Sequence, residues 1–157
     1  MKCQKYLLEI VTTLSSTNGE LRNCLKSNMI LRELKCRLKI FQKTRWTGVI
    51  NILLSNKRAY EKGAFDEGVL ECPIDLSTIE LYIQILLPAY FVRLNWEKNH
   101  TSIAEVIPAV LYLINEWDKM VIDDREAKEL CYFLIHFARS KFKYELDSKL
   151  YQVKIFL

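Results

Sequence analysis

Helix-breaking residues are scarce in this chain, and their scarcity limits the folds it can adopt. Four glycines and three prolines occur in 157 residues, and 50% of the residues are hydrophobic. Folds built from many short strands need frequent turn residues, so the composition favours long helices. The hydrophobic content excludes a disordered chain. The length suits one core, and we expect residues 1–157 to form a single α-helical domain.

In the first half of the chain, apolar residues recur at steps of three and four, which is the spacing of amphipathic helices. This pattern predicts one helix over about residues 5–14 and another over about residues 47–62. The polar residues 15–19 predict a turn after the first of these helices, and Asn18 within that turn can cap another helix. Glycines and a proline within residues 63–73 predict a loop.

The second half carries the longest apolar stripes, over residues 79–94 and 103–117. Pro88 and Pro108 stand inside these two stripes, and each should kink its helix because proline removes a backbone hydrogen bond. A last amphipathic piece covers residues 146–157. Together these patterns predict an all-α fold, an irregular bundle of six or seven helices.

Two acidic sites have the spacing of helix N-caps. Asp75 or Ser77 can cap the helix that contains the first long stripe. Asp123 and Glu126 fit a capping box, with Asp123 as the N-cap and Glu126 at the third helical position. Capping therefore accounts for the acidic doublet formed by Asp123 and Asp124, and we assign it no catalytic role.

Positive charge is concentrated in the first part of the chain. Residues 1–62 carry 13 Lys and Arg against 4 Asp and Glu, whereas residues 63–157 carry 10 against 15. The densest stretch spans residues 32–45, where Glu33 is the one opposing carboxylate among Arg32, Lys35, Arg37, Lys39, Lys43 and Arg45. Such a stretch attracts phosphates by counterion release, but it also suits a solvated lysine-rich surface. The alternation over residues 38–41 fits a short strand as well.

Arg45 and Trp46 close this cationic stretch. Tryptophan can stack on an unpaired base, and arginine can bridge phosphate oxygens with two hydrogen bonds. The alternative is that Trp46 is the first core residue of the following helix, in step with Val49, Ile50 and Leu53. Spacing alone leaves both interpretations open.

The sequence contains no recognised catalytic or metal-binding motif. No Gly-rich phosphate loop or metal-spaced His/Cys cluster occurs, and none of the five cysteines forms a Cys-x-x-Cys pair. We therefore expect no cofactor and no small-molecule substrate. No apolar run is long enough to cross a bilayer, and the first residues lack the form of a signal peptide, so we expect an intracellular protein with reduced thiols and no membrane partner.

The region around Trp46 resembles a known family. Residues 41–54, FQKTRWTGVINILL, are similar to the Thr-Arg-Trp segment of hAT superfamily DNA transposases, although Thr47-Gly48 replaces the usual Asn-Ser pair. Residues 7–25 resemble the helices that precede this motif in the family. Residues 86–114 resemble a later segment with a Val-x-Pro motif, here Val106 and Pro108. The resemblance covers nearly the whole chain.

This resemblance implies a non-catalytic part of a larger transposase. The family has an RNase H-like domain, with two aspartates and a glutamate that bind Mg²⁺, split by an all-α insertion that contains the Arg-Trp pair. The aspartates would precede Met1 and the glutamate would follow Leu157, so we expect no enzymatic activity and no Mg²⁺ site in this segment. The resemblance assigns DNA contacts to Arg45 and Trp46, and we add the phosphate-facing cations Lys35, Arg37, Lys39 and Lys43.

The expected function is to help bind and position transposon DNA in the nucleus, with any homo-oligomer formed through regions outside this chain. The alternative is a protein-interaction scaffold in a domesticated, transposon-derived regulator. In that case a separate module, such as a BED-type zinc finger, would recognise DNA, and this segment would make no DNA contact of its own.

Overall fold

A computed structural model describes residues 2–41, 47–98 and 103–147, and the regular structure of these three stretches is entirely helical. The helices in order are α1 (Lys2–Asn23), α2 (Leu25–Glu33), α3 (Thr47–Glu61), α4 (Leu76–Lys98), α5 (Ile103–Lys119), α6 (Arg125–Lys141) and α7 (Lys143–Asp147). The predicted all-α fold with six or seven helices is confirmed. Its relation to an RNase H-like insertion stays a prediction.

The chain divides into two compact units, Met1–Leu86 and Leu87–Leu157, and the boundary falls within α4 next to Pro88. The single domain expected for residues 1–157 stays a prediction. None of the helices described has both the length and the apolar character that a bilayer crossing requires.

In the first unit, α1 packs against both α2 and α3. Fully buried residues come from α1, α3 and the first half of α4, and they include Val11, Leu14, Ile50, Leu53 and Ile79. A smaller cluster around Leu31, Leu38 and Ala59 joins the end of α2 and the segment after it to the end of α3. Burial of these apolar side chains stabilises the unit by about 1.5–3 kcal/mol for each large residue, and it fixes the chain that follows α2.

The turn predicted over residues 15–19 is wrong, because α1 runs without interruption through these residues to Asn23. Asn18 is not an N-cap; it is fully buried within the helix. Its polar side chain, like that of Ser15, bonds to backbone outside α1. The helix ends instead at Asn23, and Cys24, which has an extended backbone, separates it from α2.

In the second unit, α5 packs against α6, and α7 contacts α6. The N-cap of α6 is Asp124, whose side chain accepts a hydrogen bond from the backbone N–H of Ala127 at 2.8 Å. The predicted N-cap, Asp123, is therefore wrong by one residue. The helix begins at Arg125, which places the fully buried Ala127, rather than Glu126, at the third helical position.

Other predicted features of the sequence can be located directly. Asp75 caps α4 by accepting hydrogen bonds from the backbone N–H and the hydroxyl of Thr78, at 2.9 and 2.8 Å. Both α4 and α5 continue through their prolines, Pro88 and Pro108. The kinks expected there stay predictions. Of the amphipathic piece expected at residues 146–157, positions 148–157 lie outside the described residues.

Candidate nucleic-acid interface

The cationic segment, residues 35–41, begins where α2 ends in a left-handed turn. The N–H of Cys36 donates to the carbonyl of Leu31 at 2.8 Å, and the N–H of Lys35 donates to the carbonyl of Arg32 at 3.0 Å. This pair of bonds forms a Schellman motif, and it places Lys35 at a φ of 52°. Glycine usually occupies this position, so the lysine is held in a costly conformation with its side chain exposed.

Side chains of α1 and α3 then hold the segment in place. The amide of Asn18 donates to the carbonyl of Lys39 at 2.7 Å, and the N–H of Phe41 donates to the hydroxyl oxygen of Ser15 at 2.9 Å. From the other side, the hydroxyl oxygen of Ser55 accepts the N–H of Lys39 at 3.0 Å. These side chains satisfy backbone groups that a neighbouring strand would satisfy in a sheet. The short strand that the alternation over residues 38–41 could suit is not formed, and side chains bond to the backbone there instead.

One further cation is used to support the fold. The ammonium group of Lys62 donates to the carbonyls of Leu34 and Lys35, at 2.9 and 3.2 Å. These carbonyls belong to the end of α2, where the helix dipole favours a positive charge. Lys62 therefore closes the helix end, and we do not count it among the groups offered to a ligand.

Alternation along the segment turns its cations outward. Leu38 is 1% exposed and belongs to the cluster around Leu31 and Ala59. The side chains on either side of it, Arg37 and Lys39, are exposed, as is Lys35 two residues earlier. Leu38 is therefore the inward-facing residue of this stretch, and the three cations around it face solvent.

Three adjoining clefts surround this segment. The first cleft, of about 360 Å³, lies between the segment, the end of α1 and the start of α3. The second, of about 420 Å³, lies between the segment, α1 and α2, and the third, of about 400 Å³, lies along α3. Arg37 lines all three clefts. The cations lining them form what we call the cationic face: Arg22, Arg32, Lys35, Arg37, Lys39 and Arg58.

The cationic face has no acidic counterpart in the part of the chain that is described. No aspartate or glutamate of that part lines any of the three clefts. Elsewhere cations pair with carboxylates, as Lys57 does with Glu80 at 2.8 Å and Lys5 with Glu9 at 3.8 Å. Within residues 2–41, 47–98 and 103–147, none of the six side chains of the cationic face forms an ion pair. Their positive potential is therefore available to an external anion.

The structure brings together three of the six residues predicted from sequence. Lys35, Arg37 and Lys39 lie side by side on the cationic face. The other three predicted residues, Lys43, Arg45 and Trp46, lie outside the described residues. Their roles as DNA contacts stay predictions.

Sequence reasoning missed Arg22 and Arg58 as members of the face, and it placed Arg32 in the cationic stretch without assigning it a DNA contact. Arg58 follows Asn51 and Ser55 at helical spacing, so a helical projection places all three on one side of α3. Nothing in the sequence showed that this side adjoins the cationic segment. Arg22 was missed because the incorrect turn at residues 15–19 separated it from the first helix.

Elsewhere in the described chain, fewer features indicate a binding site. No group of three or more His, Cys, Asp and Glu residues within these ranges is arranged to hold a metal ion. In the second unit, an open groove of about 630 Å³ lies between α5, α6 and α7, with Leu111, Ile114 and Leu146 among its lining residues.

Comparisons with known proteins were made at three levels. No protein-family model, no curated protein and no solved structure matches this chain.

Proposed function

We propose that this chain binds the phosphate backbone of nucleic acid, with DNA as the expected partner, through its cationic face. The observation that carries the proposal is the convergence of six cations, without an ion pair or a lining carboxylate among the described residues, on three clefts that share Arg37. Neutralising phosphates with Lys and Arg releases condensed counterions, which gives an affinity that falls steeply with salt.

Contacts with the phosphate backbone position a protein on DNA but do not read the DNA sequence. The cations of the face come from α1, α2, α3 and the segment rather than from one helix. We therefore expect affinity in the range typical of nonspecific complexes, a Kd of about 10⁻⁴–10⁻⁶ M at physiological salt. Such binding suits a module that holds DNA while another part of a larger protein acts on it.

The resemblance to hAT transposases extends this proposal. In that setting the chain is a non-catalytic helical segment of a transposase or transposase-derived nuclear protein, and Mg²⁺ chemistry belongs to regions outside it. Arg45 and Trp46 then contact an unpaired base or hairpin end. The contribution of Trp46 is tested by Trp46→Ala, which should weaken binding to a hairpin end while duplex binding stays the same. Equal affinity of W46A and the wild type for the hairpin would remove the stacking role.

The proposal itself is tested with a charge-neutralised variant. Arg22→Gln, Arg37→Gln and Lys39→Gln together should weaken binding of a fluorescent DNA duplex roughly tenfold or more at low salt, because three phosphate contacts are lost. The matched control is Lys119→Gln, Lys128→Gln and Arg139→Gln, which changes the charge equally at exposed positions of the second unit. Equal affinity of the two triple variants in fluorescence anisotropy would refute the proposal.

The groove of the second unit favours the alternative function as a protein-interaction scaffold. Tyr132 is 61% exposed and Tyr144 is 82% exposed on the helices that form this groove. Exposed aromatic residues on helices that form an open groove are typical of protein interfaces. Two results together would favour this alternative. The chain would associate in a concentration-dependent way in light scattering, and the test and control variants would bind DNA with the same affinity.

A further inference from the structure

The first cleft differs from the other two because a helix begins in it. Arg37 and Lys39 enter it from the cationic segment, and Arg22 enters it from the last turns of α1. Thr47, Gly48 and Asn51 of α3 complete its lining. Cations and the N-terminal turn of a 15-residue helix therefore share a space of about 360 Å³.

The start of α3 offers backbone donors to this cleft. The first N–H groups of a helix have no partner within the helix, and its dipole places partial positive charge there. Proteins often satisfy this end with an acidic residue, but the first turn of α3 contains none. In the ranges that the structure describes, no hydrogen bond is donated by the N–H of Thr47 or Gly48.

The Thr47 side chain is a second and independent indication of a ligand. Thr47 is 7% exposed, and it lines the first cleft. Its hydroxyl makes no hydrogen bond to any group in the described part of the chain. The hydroxyl oxygen itself is not enclosed, so it is open to the cleft. An anion in the cleft can accept a hydrogen bond from it.

Gly48 fits the same interpretation. Glycine weakens a helix relative to other residues, so its presence in the first turn of α3 has a cost. The absence of a side chain allows an anion to approach the backbone closely, as in other phosphate sites at helix starts.

We propose that the first cleft is a discrete binding site for one phosphate group. The backbone N–H groups of Thr47 and Gly48 and the Thr47 hydroxyl donate to its oxygens, while Arg22, Arg37 and Lys39 balance its charge. The inference rests on the proposed function, since the phosphate is taken to belong to nucleic acid. Its source is either an internal phosphodiester or a terminal phosphate, and both present the same oxygens.

The site is tested by substituting Gly48. Gly48→Glu places a carboxylate at the helix start, where it should raise the melting temperature and repel phosphate. Gly19→Glu makes the same change within α1, away from the three clefts, and open space surrounds a Cβ at that position. In ¹H–¹⁵N spectra recorded with inorganic phosphate, at constant ionic strength set by NaCl, wild type and G19E should show saturable shifts at Thr47 and Gly48. G48E should bind at least tenfold more weakly.

A second pair of variants tests the hydroxyl. Thr47→Val keeps the shape of the side chain and removes the donor, whereas Thr47→Ser keeps the donor. T47V should weaken phosphate binding severalfold, and T47S should retain it. Shifts at Thr47 that do not saturate, or equal phosphate affinity of G48E and G19E, would overturn the site.

Failure of this site can be distinguished from failure of the wider proposal. Arg32→Gln, Lys35→Gln and Arg58→Gln together alter the second and third clefts and leave the first unchanged. This variant should lose affinity for DNA while it retains inorganic phosphate at the first cleft. A 5′-phosphorylated oligonucleotide that binds tighter than its unphosphorylated form assigns the site to a terminal phosphate. If both oligonucleotides bind with equal affinity, and G48E binds them more weakly than G19E does, the site is assigned to an internal phosphodiester.

Discussion

The side-chain amide of Asn18 lies 2.7 Å from the carbonyl oxygen of Lys39, and this bond ties the middle of α1 to the centre of the cationic segment. Asn18 is fully buried. Ser15 on α1 and Ser55 on α3 bond to backbone N–H groups of the same segment. The geometry of the cationic face therefore depends on a few polar contacts, one of them made by the fully buried Asn18.

Substitution of Asn18 tests this dependence. Asn18→Ala should lower the free energy of unfolding by about 1–3 kcal/mol, because the Lys39 carbonyl loses its donor and a buried space opens. Release of the segment should also weaken DNA binding. Asn23→Ala, at an exposed position near the end of α1, is the control and should change stability by no more than about 0.5 kcal/mol. Urea denaturation that gives the same stability for both variants would contradict the anchoring role.

Lys35 allows backbone strain to be separated from charge. Lys35→Gly should raise the free energy of unfolding by about 0.5–1 kcal/mol, because glycine adopts the observed φ of 52° without a steric cost. Lys35→Ala should give no such gain. Both variants lose one cation, so both should lose the same affinity for DNA. Equal stability of the glycine and alanine variants in urea denaturation would show that the left-handed conformation has no cost.

The relation between sequence and structure is clearest around Asn18 and Lys35. Periodicity was sufficient for α3, whose predicted end at Lys62 differs by one residue from the observed end at Glu61. It failed at residues 15–19, where two polar residues typical of a turn, Ser15 and Asn18, instead anchor a distant segment. Local pattern cannot reveal such a contact, because the partner lies more than 20 residues away.

The candidate site shows the same limit. The charge of Lys35, Arg37 and Lys39 is visible in the sequence, and their alternation with Leu38 indicates which side chains face outward. Inclusion of Arg22 requires knowledge of how α1 packs beside the segment, which only the tertiary structure provides. The shift of the α6 cap from Asp123 to Asp124 has a similar origin, since burial of Ala127 sets the start of the helix.

Asp75 should give the stability of α4 a dependence on pH. Hydrogen bonds from the Ser77 hydroxyl and from the N–H and hydroxyl of Thr78 lower the pKa of Asp75 from 3.8 to about 2. A carboxyl group whose pKa is lower in the folded state stabilises the fold above its unfolded pKa, and this contribution disappears as pH falls from about 4 toward 2. Asp75→Asn should keep most of the cap at neutral pH and flatten this part of the pH profile.

The control for Asp75 is Asp118→Asn, an exposed aspartate near the end of α5. Thermal denaturation between pH 2 and 5 provides the measurement. If the melting temperature changes between pH 2 and 5 by the same amount in the wild type, D75N and D118N, Asp75 is not the group that titrates.

The thiols should differ strongly in reactivity. Hydrogen bonds from the side chain and backbone of Ser27 lower the pKa of Cys24, which is exposed. Burial raises the pKa of Cys131 to about 11. Since the thiolate is the reactive species, iodoacetamide at pH 8 should modify Cys24 roughly 100-fold or more faster than Cys131. Peptide mass mapping over time measures both rates, and guanidinium chloride should remove the difference. Similar rates in the native protein would contradict the burial of Cys131.

The salt dependence of DNA binding by the unmodified chain tests whether the cationic face contacts phosphates. If the six cations of the cationic face contact phosphates, the slope of log Kobs against log[NaCl] for a duplex should be about −5, because each phosphate contact contributes about −0.9. The variant carrying R22Q, R37Q and K39Q should have a slope reduced in magnitude by about 2 to 3. Binding that does not change between 50 and 200 mM NaCl (about a fourfold range), or a slope that the variant shares with the wild type, would contradict the account.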